Sequence, residues 1–392
     1  MRRNLHIPYI LLACLLAVSC IEEFNARLSD KDENLLVVSG SIRSDDQCTF
    51  YLSRTRGLND TNYSSDLMED NARVSVFGDD GQRFDGRLID RGAYRVYVGT
   101  LSPNHNYWLH IVTADGLIFT STPQMPLYAD SIDALTFEQR EDDWRVEVQL
   151  SSPAPEGEAE YYRWDFDEYW EVITPYKADF EFNPLTLQID SARPPKNHGW
   201  AHSTSREAVM CSTADYVEGR IFRKTLYTME HTDDRIARLY FTRVKQRSIS
   251  REEYEYEMFR RKLSNEMGGL FTPMPAELPT NLHCENGQKR VIGFVGVSGK
   301  PSQAEMFIKN SEVYHRSTRI SRDLTPEEIE GWSFPALYRF NYRIHQYEQM
   351  IGEASITWTY RWCVDCTDPV WGASLECPPF WPGYVPPVLP PL

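Results

Sequence analysis

Apolar residues recur along most of this chain in short alternating runs, and a helical period appears only briefly. Segments 35–41, 48–53, 72–77, 93–98, 107–112 and 117–120 are short runs rich in β-branched, aromatic and other apolar residues, the composition of strands. Asp80-Gly81 and Asp115-Gly116 separate such runs, and Gly accepts the positive φ of a tight hairpin turn. This spacing predicts a β-sandwich over residues 34–125, immunoglobulin-like or transthyretin-like. Thr122-Pro123-Gln124-Met125-Pro126 then breaks the alternation as a linker.

A larger β-rich domain is expected over residues 126–377, with strands at 144–150, 161–167, 290–297 and 355–360. Ser250-Arg251-Glu252-Glu253 has the form of a capping box, and Tyr256, Phe259 and Leu263 follow at helical spacing. A helix is therefore predicted over 251–266, stopped by Gly268-Gly269. Thr325-Pro326-Glu327-Glu328 predicts the start of a shorter one. The Pro-rich segment 378–392 is expected to be an extended tail. The fold class is mainly β, with one or two inserted helices.

Composition supports the β reading, because 13% of the residues are aromatic and these suit a half-buried pleated surface. With 41% hydrophobic and 25% charged residues the chain is globular. A formal charge of -16 without a basic block excludes a general nucleic-acid binder.

The first residues follow a different logic. Arg2 and Arg3 precede an apolar run from Ile7 to Cys20 that is too short to span a bilayer, the form of a secretory signal over residues 1–19. Leu16-Ala17-Val18-Ser19-Cys20 resembles a bacterial lipobox, with Ala17 where the commonest form has Leu. This implies lipidation of Cys20 and a lipid-anchored linker over 20–33, against the alternative of an ordinary cleaved signal. Glu22 and Glu23 resemble the acidic signal that sends Bacteroidota lipoproteins to the cell surface; a solvated linker reads the same way. Loss of Arg2 and Arg3 takes the charge from -16 to -18.

Six cysteines remain beyond Cys20: Cys48, Cys211, Cys284, Cys363, Cys366 and Cys377. Export permits disulfides, so the last five are candidate structural staples, in unspecified pairs. Cys363-Val364-Asp365-Cys366 lacks the βαβ context of a redox pair and the second ligand pair of a zinc site.

Candidate chemistry is sparse. Asp165, Asp167 and Glu168 lie among Trp164, Tyr169 and Trp170, where carboxylates beside rings suit sugar stacking and acid/base work. On a strand, however, Asp165 and Asp167 share a face with Arg163 as a solvated charged row. His198 and His202 have the i,i+4 spacing of helical zinc ligands, but Gly199 and the nearby Pro194-Pro195 favour a loop with exposed imidazoles. No nucleophile elbow, phosphate loop or dinucleotide fingerprint is present. No catalytic residue, metal ligand or cofactor is assigned.

Cys211, the segments 239–241 and 250–254, Gly268-Gly269-Leu270-Phe271-Thr272-Pro273-Met274-Pro275, Asn281 and 291–295 occur in an order that resembles a Bacteroidota outer-membrane lipoprotein family of unknown function, domain-of-unknown-function family 4249. Cys363-Val364-Asp365-Cys366 followed by Pro379-Phe380-Trp381 is similar to that family's C-terminal pattern. The resemblance implies a cell-surface lipoprotein acting as an accessory or ligand-capture partner of a TonB-dependent transporter, with no enzymatic activity attached. The rival expectation is a glycan-binding protein or glycan hydrolase centred on Trp164.

Overall fold

The computed structural model describes residues 34–55, 67–155, 160–266, 279–317, 325–349 and 354–384. The signal segment, Cys20, Glu22, Glu23, the linker 20–33 and Gly268-Gly269 lie outside the described residues. Among those described, no helix is long and apolar enough to cross a membrane. The protein is mainly β, with two α-helices among the described residues.

The N-terminal strands form as their alternation requires. Val38, Phe50, Leu52, Val74, Val76, Val96, Leu109 and Phe119 all point into one core. Asp80-Gly81 and Asp115-Gly116 are turns, with both glycines at positive φ. Strand Arg83–Asp90 was not expected, and its composition explains why: most of its side chains are exposed, so no apolar period marks it.

The first unit does not end at residue 125. Strand Leu282–Cys284 pairs with Ile118–Ser121, and Val291–Phe294 pairs in parallel with Leu36–Ser39. Leu282, Val291, Val295 and Val297 join the N-terminal core. Gly293 carries φ +134 with its Cα facing the Val38 carbonyl, so only glycine lets the two backbones approach this closely. The two-domain expectation is corrected accordingly: a segment 150 residues downstream completes the first sandwich.

A second sandwich follows. The sheet of Ala134–Gln139, Val146–Ser152 and Ile221–Met229 faces one built on Tyr161–Ile173 and Leu239–Ile249, which pair antiparallel over ten residues. Leu150, Tyr162, Trp164 and Val244 fill one half of the core, and Val148, Met229, Tyr240 and Ile308 the other.

Helix α1, Arg251–Glu266, begins where the capping residues predict. The Ser250 hydroxyl accepts from the Glu253 amide at 3.1 Å. Glu253 does not return the bond; its carboxyl packs against Gly296 of the returning segment. The expected helix at Thr325 is not formed, because Glu327 and Glu328 pair as strand with Trp358 and Thr357. Helix α2, Phe334–Arg339, starts instead at Ser333 with Pro335 in its first turn, where a missing N–H costs nothing. It packs with strands Tyr342–Gln349 and Ala354–Tyr360 and the hairpin Phe180–Asn183/Gln188–Ser191 around Phe182, Leu337, Ile344 and Trp358.

The described part of the expected tail, 378–384, is not extended. Pro378 to Tyr384 makes two turns that press Phe380 and Trp381 onto the second sandwich, Phe380 stacking on Phe241 at 4.4 Å.

Candidate functional site

Strand Tyr161–Ile173 carries the residues singled out by sequence, and alternation sorts them onto opposite faces. Trp164 is fully buried, and its indole N–H donates to Gln246 at 2.8 Å. It is a core residue, so its expected stacking role is corrected. Trp170 also packs inside, between two core clusters. Tyr169 is half-buried and already covered: His202 stacks on it at 4.1 Å and Phe380 meets its ring edge at 4.9 Å.

The carboxylates are equally engaged. Asp165 bonds Arg163 and Arg247, and Asp167 bonds Lys245 at 3.0 Å. Burial pushes the Asp165 carboxyl up, but Arg247 and Arg163 outweigh it and hold it below the usual carboxylate range. Glu168 is buried between Arg235 at 2.5 Å and the Tyr240 hydroxyl at 2.6 Å. Each acid has a cationic partner, so the solvated row expected on this strand is instead a paired one.

His198–Thr204 is a strand, not a loop, which spreads His198 and His202 about 13 Å apart along one face. His198 binds Glu171 at 2.8 Å. Among the described residues, no group of three metal-ligating side chains comes together.

The expected disulfides are not formed: Cys48, Cys211, Cys284, Cys363, Cys366 and Cys377 are free thiols. The reason is their distribution. Cys48 and Cys284 belong to the first core, Cys211 to the second, and Cys366 to a cluster with Val172 and Ala201. Burial pushes the Cys211 and Cys366 thiols up to about 11, the behaviour of small apolar fillers.

A better candidate lies between the hairpin Phe180–Ser191 and the C-terminal sheet, where a cavity of about 360 Å³ opens. Phe180, Phe182 and Ile344 give it an apolar wall, and Tyr338 a polar-edged ring. Three cations line it. Lys196 binds Glu181 at 2.7 Å, and Arg361 binds Asp365 at 2.9 Å. Arg343 lies flat over the Tyr338 ring at 3.9 Å, its Nη1 donating to the carbonyls of Tyr338 and Tyr342. Stacked and tethered, the guanidinium is fixed before any ligand arrives.

Comparison with known proteins places the chain. Residues 21–304 match the model of the family described as Domain of unknown function (DUF4249). The chain belongs to this family. Among solved structures, it is similar to a two-fibronectin type-III domain segment of chicken tenascin, at 10% identity over 71% of this chain and 99% of that one, with a TM-score of 0.16. It is also similar to a DUF4785 family protein from Legionella pneumophila subsp. pneumophila str. Philadelphia 1, at 8% identity over 54% of this chain and 52% of that one, with a TM-score of 0.18. A search of the curated proteins finds no match. The cavity straddles the edge of the DUF4249 match: Phe180, Phe182 and Lys196 lie within it, and Tyr338, Arg343 and Arg361 beyond it.

The sequence did not mark this cavity as a site. Its residues come from segments far apart in the chain, and of the motifs read from sequence only Cys363-Val364-Asp365-Cys366 contributes, through Val364 and Asp365.

Proposed function

We propose that this protein is a ligand-capture lipoprotein of the outer membrane in Bacteroidota, held by acyl chains on Cys20, displayed at the cell surface through Glu22 and Glu23, and working as the accessory partner of a TonB-dependent transporter. The observation that carries the capture reading is the cavity with its prefixed Arg343: a concave, partly apolar space with a few convergent polar groups is the ordinary form of a small-molecule site. The anchor rests on the Leu16-Ala17-Val18-Ser19-Cys20 sequence. Several acyl chains hold firmly where one binds marginally, at ~0.8 kcal/mol per buried methylene. A glycan site centred on Trp164 receives no support, because that ring has no exposed surface.

Solubilising the outer membrane in mild detergent and pulling on a C-terminal tag tests the partnership. A stoichiometric TonB-dependent barrel in the eluate is the expected result; a clean monomer refutes it. Labelling with a palmitate analogue tests the anchor. Incorporation should vanish in Cys20→Ala, and label persisting there refutes lipidation at this residue.

A further inference from the structure

The lining of the C-terminal cavity carries three cations, Lys196, Arg343 and Arg361, against two anions, Glu181 and Asp365. In a chain of formal charge -16, a locally positive hollow runs against the average. The pairing inside it is uneven. Lys196 and Arg361 each hold a carboxylate within 3 Å, at 2.7 and 2.9 Å. Arg343 holds none within hydrogen-bonding or ion-pair reach among the described residues, and only its Nη1 is bonded, to two backbone carbonyls. Asp368, 3.8 Å from Arg361, is not among the lining residues.

We infer that this cavity takes a small organic carboxylate, its oxyanion on the Nε–Nη2 edge of Arg343 and its apolar body against Phe180 and Ala178. The inference deepens the ligand-capture reading and rests on it. A guanidinium edge offers two parallel N–H donors that match a planar carboxylate, and with Nη1 held by two carbonyls and the Tyr338 ring 3.9 Å away, the Nε–Nη2 edge is the one without a bonded partner among the described residues. Burial pushes Arg343 below its ordinary value and Arg361 adds to that, while the Tyr338 phenol, Asp365 and Asp368 act in the other direction without bonding it. Phe182, Ile344 and Val364 are each less than 5% exposed and close the wall from behind, while the half-buried Ala178, Phe180 and Tyr338 keep the surface that water leaves when a ring enters. A volume of about 360 Å³ is at the small end for ligand sites and suits one fused ring system.

The test is calorimetric titration of the full mature chain with 2-naphthoate and with 2-naphthamide, its neutral counterpart of the same shape. Naphthoate should saturate one site per chain and bind at least roughly tenfold tighter than the amide. Arg343→Gln should weaken naphthoate by roughly ten- to a hundredfold, the range of a charge-assisted bond pair, with Arg343→Lys between the two. Equal binding of acid and amide, an unaffected Arg343→Gln protein, or no naphthoate binding at millimolar concentration overturns the inference. Should Arg343→Gln not fold, the acid–amide comparison on the native chain still decides. Barrel co-purification is scored separately. A captured barrel without naphthoate binding removes only this inference, and the converse removes only the transporter partnership.

Discussion

Replacing Glu253 with Gln should stabilise the protein by an amount that grows as pH rises from 4.5 to 7. Glu253 is the third residue of α1, 9% exposed, with its carboxyl against Gly296 of the segment that closes the first sandwich. Burial pushes it up to about 7; Glu257 and Asp165 add to that, while Arg163 and Arg247 oppose it. The ordinary value is 4.5, so the folded chain holds this proton more tightly than the unfolded chain does. The associated stability is complete below pH 4.5 and is lost as pH rises through 7. At 1.36 kcal/mol per pH unit, the interval between the two values corresponds to about 3 kcal/mol. Glutamine keeps the shape and removes the titration. The difference in stability between variant and native protein should be about 1 kcal/mol at pH 5 and reach about 3 kcal/mol at pH 8, in favour of the variant at both. Urea midpoints for both proteins at the two pH values, with slopes checked for constancy, measure it directly. A variant less stable than the native protein at pH 8 refutes the reasoning, because it would mean that Arg163 and Arg247 hold the carboxylate more favourably than burial penalises it.

Three further outcomes follow from the packing. Trp164→Ala should cost about 3–5 kcal/mol, through the emptied core and the unpartnered Gln246 amide, and a urea midpoint close to the native one would contradict the burial. The thiols of Cys211 and Cys366, pushed up to about 11, should be about one part in a thousand thiolate at pH 8; iodoacetamide should react slowly until urea is added, and all six free thiols should then be alkylated without reductant. Fewer than six modified cysteines in that mass spectrum would mean that bridges exist. Trp381→Ala should release the turns at 378–384 and make the segment a protease target, whereas an unchanged digestion pattern would show that Phe380 alone seats it.

Local features of the fold were legible where a residue has few alternatives. Asp80-Gly81 and Asp115-Gly116 fix turns because positive φ is cheap only for glycine, and Ser250 marks the start of α1 because exposed amides need an acceptor there. The strand Tyr161–Ile173 was readable as a strand, but which face it buries was not. Trp164 and Tyr169 sit on opposite faces, and only the second sheet, packed on one of them, decides that the tryptophan is core. Thr325–Glu328 shows the limit of a local motif: its capping pattern loses to pairing with Trp358 and Thr357, which lie about thirty residues on. The cavity was invisible for the same reason. Lys196, Arg343 and Arg361 acquire meaning only once the hairpin and the C-terminal sheet are brought face to face.

The parallel pairing of Val291–Phe294 with Leu36–Ser39 also governs the order of events at biogenesis. A chain synthesised amino end first exposes the Leu36 strand long before its partner emerges. Until residue 298 is out, that strand keeps one unpaired edge and the core lacks Val291, Val295 and Val297. Such an edge is a template for wrong pairing, and closing a loop of this length is slow. A fragment cut at the Thr122–Pro126 linker should therefore be sticky and poorly folded, because its strand edge and core stay open.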